Sequence, residues 1–154
     1  MRFVADCMLG KLAKWLKILG FDTAYFSKIE DEDLLIFAQS ESRVLLTRDN
    51  ELIEKSGKIS ALFINSEKWS EQIQQVLDEY NLKGKTKPNS RCIECNTVLK
   101  NLPKERAKNL VTPFIYKNAN DFSLCPECGR VFWKGTHHRN MEEKIIRILG
   151  SKKS

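Results

Sequence analysis

Two cysteine pairs set the tightest limit on what this chain can fold into: Cys92 and Cys95 in "RCIECN", and Cys125 and Cys128 in "LCPECGR". Cys-x-x-Cys spacing lets the backbone wrap a knuckle whose N–H groups point at the sulfurs, and two knuckles complete a tetrahedral thiolate site. The ion such a site fits is Zn2+, and four thiolates leave no position for water or substrate, so its role is structural. In a chain without secretory features this spacing favours metal over disulfide. A redox dithiol pair and an iron–sulfur cluster are the alternatives the spacing leaves open. The 29 residues between the knuckles exceed the commonest ribbon spacing, and the expectation is an inserted hairpin or loop; the ribbon segment is small and polar, so the metal would stand in for a core. The fifth cysteine, Cys7, follows Asp6, whose negative charge opposes thiolate formation, and it reads as an inert core residue.

Ahead of the knuckles the chain alternates between two periodicities. "RFVAD" (2–6), "DTAYF" (22–26), "RVLLT" (43–47) and "ISALFIN" (59–65) are short apolar runs of strand length. Between and after them lie segments of helical spacing: 7–20, with Gly20 as its cap; 30–41, opened by acids; 50–57; and 70–82, with Ser70 as the expected N-cap. Alternation with short connections predicts an α/β fold, an open parallel sheet with right-handed crossovers and helices on both faces. "KGKTKPNS" interrupts this pattern and marks a boundary. The expected organisation is an α/β body over 1–87, a zinc ribbon over 88–136, and a C-terminal helix and basic tail over 137–154. That helix, "NMEEKIIRILG" with Asn140 as its cap, carries an apolar stripe expected to dock on the body.

With 42% hydrophobic residues the chain can fill a core, so a disordered reading is excluded. No apolar run is long enough for a membrane span, and "MRFVADC" lacks the apolar centre and cleavage site of a signal peptide. A cytoplasmic protein is expected. The net charge of +6 is uneven: residues 1–87 hold 13 basic and 14 acidic residues, whereas 88–154 hold 13 basic and 6 acidic. A basic excess confined to the second part points to a phosphate-rich partner, because clustered cations release the counterions of nucleic acid. A plain lysine-rich, solvated surface would carry the same excess.

Asp6 ends the first expected strand and Asp49 follows the third, so both fall on the carboxyl edge of a parallel sheet, where such folds keep their ligand crevice. Asp33 opens the helix after the second strand and faces the same edge. Three converging carboxylates repel unless a cation lies between them, and a hard divalent ion, Mg2+ or Mn2+, suits oxygen donors and keeps positions for phosphate. This is the arrangement of metal-assisted phosphodiester hydrolysis. Helix capping and dipole complementation are the simpler roles for the same acids.

With these residues in view, the chain resembles the Mut7-C RNase domain family, a PIN-like nuclease fold with a C-terminal zinc ribbon. The resemblance runs through "FVADCMLGKLAKWLKILGFDT", "DEDLL", "RVLLTRDNEL", both knuckles and "GRVFWKGTHHRNM". It implies an endoribonuclease with Asp6, Asp33 and Asp49 as its acidic set, a divalent cation as cofactor and RNA as substrate. Many such sites hold a fourth acid, for which Asp22, Asp31 and Asp121 are the candidates. Candidate RNA contacts are Lys11 and Lys14 on the first helix, Arg48 beside Asp49, and His137 and Arg139 after the second knuckle. His137 and His138, as neighbours in an extended segment, would face opposite ways. A non-catalytic RNA- or DNA-binding module on the same fold is the competing reading. The sequence leaves open a protein regulator, the oligomeric state and the choice between one and two metal ions.

Overall fold

In the computed structural model the backbone is described for residues 1–134 and 136–150, and side chains for the same residues apart from 136–139. The chain divides into two compact units, Met1–Asn89 and Ser90–Ser154. No helix among the described residues is long and apolar enough to cross a membrane.

In the first unit, β1 (Arg2–Ala5), β2 (Asp22–Tyr25), β3 (Val44–Thr47) and β4 (Ala61–Phe63) form one parallel sheet in the order β2-β1-β3-β4. Helices α1 (Gly10–Ile18), α2 (Asp31–Ser40), α3 (Asn50–Ser56) and α4 (Trp69–Glu79) follow the strands in turn. Both sheet faces are covered, which is why these strands read as unbroken apolar runs. Val4 and Leu45, partners across β1 and β3, pack on Leu34 and Ala38 of α2 and Leu52 of α3. On the opposite face Phe3 meets Phe21 edge-on at 6.4 Å and Tyr80 at 5.8 Å, while Trp15 of α1 stacks on Trp69 of α4 at 4.8 Å.

The amino edge of the sheet is held by Arg43, only 6% exposed. Its guanidinium donates to the Phe3 carbonyl at 2.9 Å, to Asp22 Oδ1 at 2.7 Å and to Glu41 Oε1 at 3.0 Å, so a buried cation is fully paired. At the end of α1, Gly20 takes φ +97°, and an added Cβ would lie 2.5 Å from the Lys87 carbonyl oxygen. The chain passes there because Lys87 and Asn89 donate their N–H groups to the free carbonyls of Leu19 and Ile18. The expected linker is therefore strapped to α1 as far as residue 89. Two sequence boundaries need correction. The fourth strand covers only Ala61–Phe63, and Ser70 lies inside α4, whose N-cap position is Lys68. Ser66 organises that turn instead: its hydroxyl accepts from the Lys68 N–H at 3.0 Å and donates to Glu71 Oε1 at 2.5 Å.

The second unit holds an antiparallel sheet of β5 (Lys100–Asn101), β6 (Asn120–Leu124) and β7 (Val131–Lys134). Between β5 and β6 lie two short helices, α5 (Lys104–Ala107) and α6 (Pro113–Asn118). This insertion is more than the expected hairpin or loop. Leu102, Ala107, Ala119 and Phe122 are buried together, with Val111 and Ile115 packed against them, so four apolar residues spread along the insertion make one small core where composition indicated none. Helix α7 (Thr136–Gly150) belongs to this unit and contacts β7. It begins four residues before Asn140, the expected cap, so His137 and His138 lie in its first turn rather than in an extended segment.

Candidate functional site: a thiolate cluster and an acidic sheet edge

The two knuckles are built alike. Cys92 N–H donates to the Thr97 carbonyl and Asn96 N–H to the Cys92 carbonyl, at 2.9 and 2.8 Å; Cys125 N–H donates to Arg130 and Gly129 N–H to Cys125, both at 2.9 Å. Each loop turns on a residue with positive φ directly after its second cysteine, Asn96 at 65° and Gly129 at 76°, the two residue types that tolerate that region best. In each, the N–H of the second cysteine points at the sulfur of the first, Cys95 to Cys92 at 3.4 Å and Cys128 to Cys125 at 3.5 Å.

All four sulfurs lie within 4.8 Å of one another, and Cys92 Sγ is 3.8 Å from Cys128 Sγ. A tetrahedron with Zn–S bonds of about 2.3 Å requires sulfurs about 3.8 Å apart. The cluster fits zinc in donor type, number and spacing. Its electrostatics show what the ion would resolve. The Cys128 N–H brings the Cys125 thiol down to about 7, while burial and then the neighbouring sulfurs push Cys95 up to about 12. Burial raises Cys92 as well. Without a cation, four sulfurs this close cannot all be thiolates.

At the sheet edge, Asp6 follows β1 and is 8% exposed. Its Oδ1 accepts from the Cys7 N–H at 2.6 Å, and its Oδ2 accepts from the Thr47 hydroxyl at 2.8 Å. The same Thr47 oxygen accepts from the Asp49 N–H at 3.0 Å. Thr47, fully buried at the end of β3, therefore couples two aspartates across neighbouring strands. Asp49 caps α3 with Oδ1, accepting from the Glu51 N–H at 2.9 Å. The Tyr25 hydroxyl donates to the Cys7 carbonyl at 2.7 Å and fixes the turn behind Asp6; Gly10 makes room, since a Cβ there would sit 3.0 Å from that hydroxyl.

Strand order reverses between β1 and β3: the chain leaves β1 for β2 on one side, then returns to place β3 on the other. Asp6 and Asp49 thus stand at the carboxyl ends flanking the reversal, the position where open α/β sheets bind ligands. Asp33 lies on the same side of the fold, in the first turn of α2, with an exposed carboxylate that no hydrogen bond or ion pair holds among the described residues. Asp31 is the acid of that turn whose charge reaches Cys7, and its Oδ2 lies 3.7 Å from Lys55 Nζ on α3. Desolvation, then the bond and charge of Asp6, then the charge of Asp31 raise the Cys7 thiol above its ordinary value, which opposes thiolate formation. The residue is nonetheless exposed and not part of the core as expected, because it lies in the turn that leaves the sheet. Of the other acids considered for a fourth place, Asp22 is bound to Arg43 at the amino edge and Asp121 pairs with Lys134 in the second unit.

Among the described residues the four-cysteine group is the only set of three or more His, Cys, Asp or Glu side chains placed to share one ion. The three aspartates are not drawn into a closed cluster. The pair Asp6 and Asp49 still suits Mg2+ or Mn2+, which needs only one or two carboxylates and retains water in its other positions.

Lys11 is exposed in the first turn of α1 with Nζ 5.1 Å from the Trp69 ring, and Lys14 is exposed one turn on. Arg48 is turned away from Asp49: its guanidinium donates to the Ile64 carbonyl at 2.8 Å and reaches Glu67 at 3.9 Å, so it ties the β4–α4 connection to β3. The side chains of His137 and Arg139 lie outside the described residues. Sequence reasoning missed Thr47, whose β-branched side chain reads as an ordinary strand residue. It also missed the matched Asn96 and Gly129, visible in retrospect as turn-forming residues one place after each knuckle.

No curated protein and no solved structure gives a match to this chain. The family model described as "Mut7-C RNAse domain" matches residues 1–145, which takes in the sheet edge, both knuckles and most of α7. With the fold, the thiolate cluster and the acidic edge all inside that match, the chain belongs to the Mut7-C RNase domain family.

Proposed function

We propose that this protein is a divalent-metal-dependent endoribonuclease that hydrolyses RNA phosphodiester bonds at the carboxyl edge of its parallel sheet. The observation that carries this reading is the Asp6–Thr47–Asp49 unit at the strand-order reversal of a chain from an RNase-domain family. Asp6 and Asp49 would hold the ion, and Asp33, or Asp31 by its nearness to Cys7, would complete or orient the shell. When bound, Mg2+ or Mn2+ would supply the Lewis acidity that offsets phosphate charge and eases loss of a proton from the water that attacks.

The chain's own residues do the positioning. Two donors, the Cys7 N–H and the Thr47 hydroxyl, hold the Asp6 carboxylate in one orientation and leave each oxygen a further lone pair. The Asp49 backbone is fixed by the same hydroxyl. Lys11 and Lys14, with His137 and Arg139 from the second unit, are the proposed contacts to the RNA backbone; Arg48, engaged by Ile64 and Glu67, is not one of them, and the zinc ribbon is structural. A cytoplasmic location and a restraining protein partner are compatible with this reading.

The test is cleavage of single-stranded RNA by wild type and Asp6→Asn, with Mg2+, with Mn2+ and with neither. Metal-dependent cleavage that is lost in Asp6→Asn, and that leaves 5′-phosphate and 3′-hydroxyl ends, is the expected result. A 2′,3′-cyclic phosphate would mean attack by the internal 2′-hydroxyl and would overturn the hydrolytic assignment. RNA binding without metal-dependent cleavage would make the chain a binding module.

A further inference from the structure

We infer that the folded insertion between the two zinc knuckles is a single-stranded RNA grip, with Phe114 as a base-stacking platform and Lys104, Arg106, Lys108 and Lys117 as its phosphate contacts. This deepens the reading of the chain as a ribonuclease and rests on it for the identity of the ligand.

Three observations converge on this segment. Phe114, the second residue of α6, is 74% exposed, and Leu110 just before the helix is 56% exposed, although the insertion has a core of its own to bury apolar side chains. Ile115 and Val111 do turn inward to that core, so the outward placement of Phe114 and Leu110 is not a failure to fold. An exposed ring of this size on a small lobe marks a contact surface.

The second observation is charge. Residues 96–124 contain five basic and two acidic residues, a net of +3. The third is what those cations do. Arg2, Arg43, Arg48 and Lys55 of the first unit and Arg130 and Lys134 of the second, outside the insertion, are taken up in ion pairs. None of Lys104, Arg106, Lys108 and Lys117 has a carboxylate partner among the described residues, and all four are exposed. Lys104 instead lies 5.3 Å from the ring of Tyr116, and Lys117 is three residues from Phe114 on α6, on the same helical face. Unpaired cations around an exposed ring are what a single strand requires: backbone charge to neutralise and a π-face for a base. A purely apolar protein partner would have no use for the cations, whereas a single strand uses both the exposed ring and the charge around it.

The experiment is fluorescence anisotropy of a labelled single-stranded oligoribonucleotide with the full chain, without added divalent ion so that the strand stays intact. Phe114→Ala should weaken binding about 10-fold, the size of one lost base–aromatic stack. Phe114→Tyr should retain affinity, whereas Phe114→Leu should lose it, since leucine keeps apolar area without a ring. Lys108→Glu and Lys117→Glu should each flatten the dependence of log affinity on log salt by about 1. Zinc content and circular dichroism should be unchanged in all of them, because the substituted side chains lie outside the core. Wild type that binds and cleaves RNA with Phe114→Ala indistinguishable from it would overturn this inference alone. Binding retained in Phe114→Leu but lost in Phe114→Ala would also overturn it, as would a Phe114→Ala defect confined to anionic vesicles; either would assign the patch to an apolar protein or lipid surface. A wild-type chain that neither binds nor cleaves RNA would bring down the ribonuclease reading together with it.

Discussion

A single hydroxyl decides how the acidic edge is assembled. Thr47 donates to Asp6 and accepts from the Asp49 backbone, so replacing it with valine keeps the shape and removes both bonds. Thr47→Val should lower metal-dependent cleavage about 10- to 100-fold, the usual effect of losing a group that orients a ligand. Thr47→Ser should restore most of it, and the metal concentration for half-maximal rate should rise in the valine variant only. The acids at the start of α2 allow a comparative prediction. Asp33 is exposed and unheld among the described residues, whereas the charge of Asp31 reaches Cys7 beside Asp6. If nearness governs, Asp31→Asn should reduce the cleavage rate more than Asp33→Asn; a larger effect at Asp33 would return the third place to the residue that the sequence selected.

The elements are fixed by a few conformational requirements. The end of α1 needs Gly20, because φ +97° disfavours an L side chain and the strap at Lys87 occupies the space a Cβ would take. Gly20→Ala should cost about 2 kcal/mol or more, read as a lowered denaturation midpoint of the first unit. Its glycine was legible as a helix cap from sequence; the strap that makes it obligatory was not, since it joins residues far apart in the chain. The same contrast holds at α4. Ser70 is a good N-cap residue by type, yet Ser66 organises the turn, because where the chain leaves a parallel strand is set by the sheet and not by the helix that follows. Asn140 failed for a similar reason, with α7 extending back over residues that composition alone could not assign.

At the scale of the whole molecule the two units rest on different physics. The first buries helices on both faces of a sheet; the second combines a small apolar cluster with four sulfurs suited to zinc. Chelation should therefore abolish the thermal transition of the second unit and leave that of the first in place, a result calorimetry can resolve. Acid should act in the same direction. Zinc binds thiolates, and Cys125, brought down to about 7, keeps its charge above that value and loses it below, while Cys92 and Cys95, both raised, must surrender protons to the metal. Affinity should rise with pH, and zinc loaded at pH 8 should be lost to a chromophoric chelator progressively as pH falls.

What the sequence determined by itself is local. Period and length marked the four strands and their helices, Cys-x-x-Cys spacing marked the knuckles, and the two aspartates after strands marked the edge, because each signal involves residues only a few positions apart. Tertiary structure decided what depends on juxtaposition: the order β2-β1-β3-β4 that brings Asp6 beside Asp49, Thr47 as their bridge, Arg48 turned to Ile64, and a folded core in the insertion. The physical reason is range. A turn or a heptad of apolar spacing is written in neighbouring residues, whereas a hydrogen bond between residues 6 and 47 exists only after the sheet has put two distant strands side by side.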